Sequence, residues 1–484
     1  MIKSILTGYS SELLSRVKPS TKILKSKVDA TWTKLINERI CIGITGFSGS
    51  GKSSFITSLI YQLSNSEQAN LSSFSPAIQG RIKGVKILTL DGLTDNLFQY
   101  QQGLNSLSSD PASWPESTTD LSSCLLEVSY QSHNKSFFSG ESTNSKVLIE
   151  IRDYPGEWLL DIPLLNQSYY QWCLECNHRF QQPEIKPLLA ELLDDLSQID
   201  LMAQIDEQTI KRLHQRYVTF LQSCKQAGLS LIQPGRFLLP GNEPSDILPF
   251  VPLLGINELT VELLSDASQD SYFKQMKTRY EQYVENQVKP FYDDYFNNVH
   301  RQIILVDVLK GLSKGEAYLE DMRLALARVM DSYHYGRNNL YQRTFNPQVE
   351  QIVFVATKID QVLPEQHENI RSLLSSLVSH AYIESNVEGI DMSCEAVAAV
   401  RCTKLIKTND KIVLEGHTTE GKKGGMFHPD IPSTLPKGSD WQQYKNWQVH
   451  RLRPLENKGL LAGDKLEHIR MDTVLNQLIG DKFK

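Results

Sequence analysis

The residues best suited to chemistry form one short run, GITGFSGSGKSSFITSLI at 43–60. Inside it GFSGSGKS matches G-x-x-x-x-G-K-[ST], the pattern of a phosphate-binding P-loop. Backbone N–H groups of such a loop converge on phosphate oxygens, the lysine bridges the terminal phosphates, and the last serine binds Mg²⁺. The predicted nucleotide-binding residues are therefore Gly46, Ser48, Gly49, Ser50, Gly51, Lys52, Ser53 and Ser54, with Lys52 also a catalytic candidate and Ser53 a Mg²⁺ ligand.

A second pattern, D-x-x-G, follows in KVLIEIRDYPGEW. Asp153 would hold Mg²⁺ through a water molecule, and the N–H of Gly156 would reach the γ-phosphate, so that this loop becomes ordered only with a triphosphate. A hydroxyl ligand for the same Mg²⁺ is expected between the two patterns. The segment SWPESTTDLSS offers Thr118 and Thr119 for that role.

The base is predicted from the strand end QIVFVATKIDQV, where Thr357, Lys358 and Asp360 form a variant of N-K-x-D. A carboxylate at Asp360 accepts two hydrogen bonds from guanine, whereas adenine offers no such donor pair, so the pattern favours guanine. The stem of Lys358 would cover the base. Backbone N–H groups of a further loop, at Ala398, Ala399 and Val400, are candidates for the base carbonyl.

Hydrolysis depends on Glu157, which follows D-x-x-G where many GTPases carry glutamine. A carboxylate can accept a hydrogen bond from the attacking water, but it adds negative charge near the γ-phosphate, so we expect slow or partner-stimulated hydrolysis. Arg337 and Arg401 are candidates for a charge-stabilising arginine, with structural roles as the alternative. Trp158 is expected to anchor this loop on the neighbouring helical region or to pack in the core.

Buried strands must position these residues. The apolar runs RICIGIT, KVLIEIR, QIILVDV and QIVFVAT are unalternating, as in a parallel sheet covered on both faces, and helical stretches separate them. They predict a doubly wound α/β fold, with a long helical insertion between the second and third runs. The predicted domains are a basic helical segment at 1–38, the first part of the nucleotide domain at 39–160, the insertion at 161–300, and the second part at 301–484, with an exposed excursion near 416–440 and a C-terminal helix.

Composition limits the partners. The chain has 484 residues, with 50 basic against 56 acidic residues, which argues against a general nucleic-acid binder. Seven scattered cysteines and no secretory signal favour the cytoplasm. The excess of lysine and arginine in 1–38 leaves open a peripheral contact with the inner membrane or a membrane protein, against the alternative of a solvated helix face. The oligomeric state is not predicted.

A rival chemical site is the run Cys173-Leu-Glu-Cys176-Asn-His178. It provides three potential zinc ligands where a structural site needs four. On a helix its two thiols would share one face, which core packing also uses, and core packing is the favoured interpretation.

These motifs, with PGRFLLPG at 234–241, LVDVLKGLSKG and the tail HIRMDTVLNQLIGDK, give the chain a resemblance to the YcjX-like family of bacterial P-loop NTPases. The resemblance covers nearly the whole chain. It implies a Ras-like GTPase domain interrupted by a helical domain, with guanine nucleotide and Mg²⁺ as ligands, and a link to cell-envelope stress. Two hypotheses stay open: a Mg²⁺-dependent GTPase that acts as a switch, and a scaffold that holds GTP or GDP with little turnover and docks a membrane-associated partner.

Overall fold

The computed structural model describes residues 39–67, 69–88, 97–117, 120–135, 142–238, 247–333, 349–385, 390–408 and 411–483. The basic segment 1–38, the candidate Mg²⁺ ligands Thr118 and Thr119, and Arg337 lie outside the described residues. The predictions for them therefore stay predictions.

Seven strands of the described chain form the main sheet: β1 (Ile40–Gly46), β2 (Ile82–Leu88), β3 (Ser122–Lys135), β4 (Ser142–Asp153), β5 (Arg301–Val306), β6 (Gln351–Ala356) and β7 (Asp391–Ala396). Their order is β2-β3-β4-β1-β5-β6-β7. Neighbours from β4 to β7 run parallel, whereas β2 and β3 add an antiparallel edge. The predicted α/β fold with a mostly parallel sheet is confirmed.

The first nucleotide-domain helices are α1 (Lys52–Ser64), α2 (Ser75–Ile78), α3 (Tyr100–Ser108) and the single turn α4 (Gly156–Leu159). Helix α1 begins directly after the P-loop and buries most of its length against the sheet. Helix α4 begins at Gly156, the last residue of the D-x-x-G pattern, with Pro155 as its N-cap residue. Both helices therefore start at the carboxyl edge of the parallel strands, where ligands of open α/β sheets bind.

Between α4 and β5 lie α5 (Tyr169–Phe180), α6 (Ala190–Ser197), α7 (Glu207–Ala227), α8 (Val261–Asp266) and α9 (Tyr272–Tyr283). These helices share a hydrophobic core of their own, which includes the stacked rings of Trp172 and Tyr280. Helix α7 is capped by the Asp206 carboxylate and ends at Gly228, whose φ of 102° suits glycine. The capped helix fixes the position of its last turn, which faces the nucleotide domain.

The second half contains α10 (Val308–Lys314), α11 (Glu316–Ser332), α12 (His367–Ser385), a three-stranded sheet of β8 (Thr403–Thr408), β9 (Lys411–His417) and β10 (Lys423–Met426), and α13 (Met471–Ile479). Alternate residues of β5 enter two cores: Ile303 and Leu305 face α1 and α13, and Ile304 and Val306 face α11 and α12. The sheet is thus covered on both faces, as its unalternating strands predict.

The segment 416–440 is only partly an exposed excursion. It begins in the β9–β10 hairpin, and Ile431 is buried in the core, while Phe427 is exposed. Residues 419–423 at the tip of this hairpin are exposed, whereas Ile431 packs in the main core. Within the described residues, no helix combines the length and the apolar character that a membrane crossing requires.

Candidate functional site

The P-loop has the backbone of an anion cradle. Gly49 and Gly51 have φ values of 83° and 87°, which favour glycine, and Gly51 is the N-cap residue of α1 with no side-chain cap. No side chain at the N-cap accepts a hydrogen bond from the first turn of this 13-residue helix, and helix N-termini of this kind bind anions. Ser50 is buried, and its Oγ has no hydrogen-bond partner within the described chain. These features fit bound phosphate.

Lys52 and Asp153 form a buried ion pair, with Nζ and Oδ1 separated by 2.5 Å. Asp153 has no exposed surface. The register of the parallel strands explains the pair, because Ile44 near the end of β1 lies beside Asp153 at the end of β4. Carboxylate and hydroxyl oxygens suit Mg²⁺, and buried Ser53 follows Lys52 directly, so the donor set fits this ion.

Gly156 lies directly against the P-loop backbone. A Cβ added there would be 2.7 Å from the carbonyl oxygen of Gly46. Any larger residue would separate the D-x-x-G turn from the phosphate loop. The two sequence patterns therefore form one surface.

Glu157, the next residue, is buried and ion-paired to the helical insertion. Its Oε1 lies 3.1 Å from Nζ of Lys225, which stands in the last turn of α7. The sequence analysis treated this carboxylate as an unpaired negative charge near the P-loop. In the structure it is paired with a lysine of the insertion. Lys225 escaped the sequence analysis because a lysine on the polar face of an amphipathic helix carries no distinguishing signal.

The insertion also holds the residues after Glu157. Both carboxylate oxygens of Asp161 accept the Gly235 N–H at 3.0 Å, and one accepts the Tyr283 hydroxyl at 2.6 Å. Burial raises the pKa of Asp161 to about 6, against these hydrogen bonds. The Arg236 guanidinium lies over the Trp158 ring, 4.1 Å from its centre. Trp158 also packs edge-on against Phe291 in the main core, with ring centres 5.2 Å apart. The contact with the insertion and the core packing, which the sequence left as alternatives, therefore occur together.

The segment 357–360, predicted to read the base, reaches the P-loop through Lys358. Its Nζ donates to the Gly49 carbonyl at 2.7 Å and to Asp307 Oδ2 at 2.5 Å. Lys358 has a φ of 64°, a left-handed conformation uncommon outside glycine, which turns the chain at the end of β6. Asp307 follows β5 directly, and the reasoning about strand ends that selected Asp153 could also have found it.

Asp360 is buried, and its Oδ2 accepts the Cys402 N–H at 2.6 Å. Burial raises the pKa of this carboxyl group, and the Cys402 N–H opposes the shift. Thr357 donates its N–H to Val306 O at 3.0 Å, while its buried Oγ1 lacks a hydrogen-bond partner among the described residues. The three residues lie together at the carboxyl end of β6, as their pattern predicts.

The third loop departs from prediction at Ala398, whose N–H donates to Ile469 O at 3.1 Å in a small antiparallel bridge. This N–H is therefore not available to a base carbonyl, since the tail residue 469 occupies it. The Ala399 carbonyl accepts the Ser58 hydroxyl at 2.6 Å, which ties the loop to α1. The roles predicted for the N–H groups of Ala399 and Val400 stay predictions.

Two other candidates from the sequence, Arg401 and Cys173, make contacts that serve the fold. Arg401 pairs with Glu467 at 3.2 Å and donates to Thr403 O at 3.1 Å. Cys173 lies in the core of the insertion, where burial raises its pKa to about 12. Within the part of the chain that the structure describes, no cluster of three or more His, Cys, Asp or Glu could hold a metal.

Comparison with known proteins agrees with this geometry. The chain is 32% identical over 459 residues to "Ras-like GTPase YcjX" of Shewanella oneidensis, which covers 92% of this chain and 94% of the relative. It is 34% identical over 476 residues to the protein of the same name in Escherichia coli K12, covering 96% and 100%. The family model described as "YcjX-like family, DUF463" matches residues 40–483, and the chain therefore belongs to the YcjX-like family.

Proposed function

We propose that this protein binds guanine nucleotide with Mg²⁺ and hydrolyses GTP slowly, as a switch in bacterial cell-envelope stress. The observation that carries the proposal is the 2.7 Å hydrogen bond from Lys358 Nζ to the Gly49 carbonyl. It joins the base-reading segment to the phosphate loop, so that one nucleotide can engage both. The names of the two relatives support the guanine nucleotide and the GTPase activity.

The phosphate end is assigned to the P-loop. Backbone N–H groups of Gly49, Gly51, Lys52 and Ser53 would bind phosphate oxygens, whereas the Ser50 N–H donates to the Phe47 carbonyl at 3.0 Å. Lys52 would exchange its partner Asp153 for the terminal phosphates. Ser53 and Asp153 would hold Mg²⁺, which when bound neutralises charge on the phosphate oxygens. The Gly156 N–H, beside the Gly46 carbonyl, would reach the γ-phosphate.

The base end is assigned to Asp360, Lys358 and Thr357. Asp360 keeps one oxygen on the Cys402 N–H, which leaves its other oxygen for the guanine donors. A buried carboxylate that faced adenine would lack a donor, and this mismatch costs about 1–3 kcal/mol or more. The base carbonyl is left to the N–H groups of Ala399 and Val400.

Hydrolysis is assigned to Glu157, which would orient the attacking water through its carboxylate. A second candidate function is a scaffold that holds GTP or GDP and docks a membrane-associated partner, with the basic segment 1–38 as the docking element. The anchoring of Trp158 under Arg236 favours this alternative, because a switch loop held by the insertion has less freedom to move.

One experiment separates the two functions. Purified protein is preloaded with GTP, Mg²⁺ is added, and phosphate release is followed in a single turnover, with Lys52→Ala as the control. A switch GTPase releases phosphate faster than this control. Equal rates in the two proteins, together with tightly retained GTP in the wild type, would instead establish the scaffold. Identification of the nucleotide that co-purifies tests the guanine assignment separately.

A further inference from the structure

We propose that Lys225 is a positioning residue for GTP hydrolysis: the insertion supplies its ammonium group to neutralise Glu157 beside the terminal phosphate. The inference rests on the proposed GTPase function and adds a role for the insertion. It begins from the 3.1 Å ion pair between Lys225 Nζ and Glu157 Oε1.

The pair stands at the mouth of the P-loop. Lys225 and Glu157 line one narrow cavity together with Phe47, Ser48 and Ser50 of the phosphate loop. Gly156 places Glu157 there, because its Cα lies against the Gly46 carbonyl. The pair therefore faces the side of the loop that receives the terminal phosphate.

Burial makes the pair matter electrostatically. The Glu157 side chain is 8% exposed, and that of Lys225 is 35% exposed. A lone buried carboxylate at this point would repel the γ-phosphate, since like charges interact strongly where water is excluded. An ammonium group at 3.1 Å cancels that charge while leaving the second carboxylate oxygen for a water molecule. Glu157 can therefore orient a water molecule without adding an unbalanced negative charge near the γ-phosphate.

A second lysine, Lys310, lines the same cavity. A Cβ added at Gly49 would lie 3.7 Å from Lys310 Nζ. Within the described chain Lys225 is the cation that pairs with Glu157, and it belongs to the insertion, whereas Lys310 belongs to the nucleotide domain. The insertion thus contributes a charge that the nucleotide domain does not place on Glu157.

The architecture holds Lys225 in position. Helix α7 is capped at its start by Asp206 and ends three residues after Lys225 at Gly228. The loop after it returns to the nucleotide domain, where the Ser230 and Leu231 N–H groups donate to Asp321 of α11. The lysine therefore stands on a rigid element between two fixed points.

The test compares Lys225→Met, Lys225→Arg, Glu157→Gln and the double variant Lys225→Met/Glu157→Gln. The exposed Lys211 on the same helix provides a matched control, Lys211→Met. Each protein is assayed for single-turnover GTP hydrolysis and for affinity towards a fluorescent GDP and a fluorescent non-hydrolysable GTP analogue.

We expect Lys225→Met to slow hydrolysis by about 10- to 100-fold and to weaken binding of the GTP analogue relative to GDP. Lys225→Arg should restore most of the rate, and Lys211→Met should match the wild type. The double variant should be no slower than Glu157→Gln, because the lysine acts through the carboxylate.

An unchanged rate in Lys225→Met would overturn the inference. So would an equal slowing by Lys225→Met in the wild-type and Glu157→Gln backgrounds. A variant that folds poorly would lose GDP affinity as well. In that case the hydrolysis rate of Lys225→Arg and the GTP-to-GDP affinity ratio decide whether the charge of Lys225 matters. If wild-type protein binds GTP but hydrolyses it no faster than Lys52→Ala, the proposed GTPase function fails, and the affinity ratio alone still tests the charge effect.

Discussion

Gly235 of the insertion packs directly on the backbone of Glu157: a Cβ added at 235 would lie 2.3 Å from the Glu157 carbonyl oxygen. The same glycine donates its N–H to Asp161, four residues further along. The insertion is therefore fitted to the segment 157–161 at the level of the main chain. The contact involves backbone atoms of both segments as well as the Asp161 side chain.

Gly235→Ala is expected to destabilise the protein by about 1–3 kcal/mol, because backbone atoms cannot move away as a flexible side chain could. Urea unfolding monitored by circular dichroism gives the change, and GDP release should change with it. Gly84→Ala provides the matched control, since a Cβ at 84 meets no described atom within 4 Å. Equal midpoints for the two variants would show that the contact is not tight.

The buried Asp161 predicts a pH dependence of stability. Its folded-state pKa of about 6 lies above the ordinary value of 3.8, so the folded protein binds this proton more tightly than the unfolded chain. Its stabilising contribution is therefore complete below about pH 4 and is lost as the pH rises through 6, with a slope of at most about 1.4 kcal/mol per pH unit. Relative to Asp161→Asn, the wild type should lose unfolding free energy between pH 4 and 6. A constant difference across that range would contradict the assignment.

The Lys52–Asp153 ion pair predicts that the loss of Lys52 lowers the free energy of unfolding of the nucleotide-free protein. Lys52→Met leaves a fully buried carboxylate without its partner, which costs about 3–5 kcal/mol. The double variant Lys52→Met/Asp153→Asn should recover most of that loss but should keep the weakened nucleotide affinity of a P-loop without its lysine. Urea unfolding in nucleotide-free buffer measures the first effect, and fluorescent GDP titration measures the second. A double variant as unstable as Lys52→Met would contradict the pairing.

Asp360→Asn is expected to change the preferred base from guanine to xanthine. The Cys402 N–H holds one side-chain oxygen, so the new amide nitrogen would face the base and would suit the carbonyl that xanthine has in place of the guanine amine. Competition between unlabelled GTP, XTP and ATP for bound fluorescent GDP measures the change, which we expect to exceed tenfold. Asp391→Asn, at the start of β7, serves as the control. Unaltered preference in Asp360→Asn would remove Asp360 from base recognition.

The sequence was sufficient to predict the position of residues that lie within one strand or in the turn after it. Lys52, Asp153, Lys358 and Asp360 each follow an unalternating apolar run, and parallel strands bring such ends to one edge of the sheet. This geometry follows from the fold class alone. The common location of these residues could therefore be predicted before their contacts were known.

Residues that reach the site from the insertion could not be predicted in this way. Lys225 and Gly235 lie about 70 to 80 residues after Glu157, and their positions depend on how helices pack rather than on a strand order. Ala398 shows the same limit, because the tail residue Ile469 that takes its N–H is remote in sequence. Local patterns carry no information about such distant partners.

The packing of the insertion on 157–161 has a thermodynamic consequence. If GTP and GDP favour different positions of that segment, a molecule that binds the far side of the insertion and prefers one position must alter the GTP-to-GDP affinity ratio. By linkage, the nucleotide must alter that molecule's affinity by the same factor. The GTP-to-GDP affinity ratio measured with and without added cell extract, without any knowledge of the partner, would therefore report the partner's presence and the strength of its coupling.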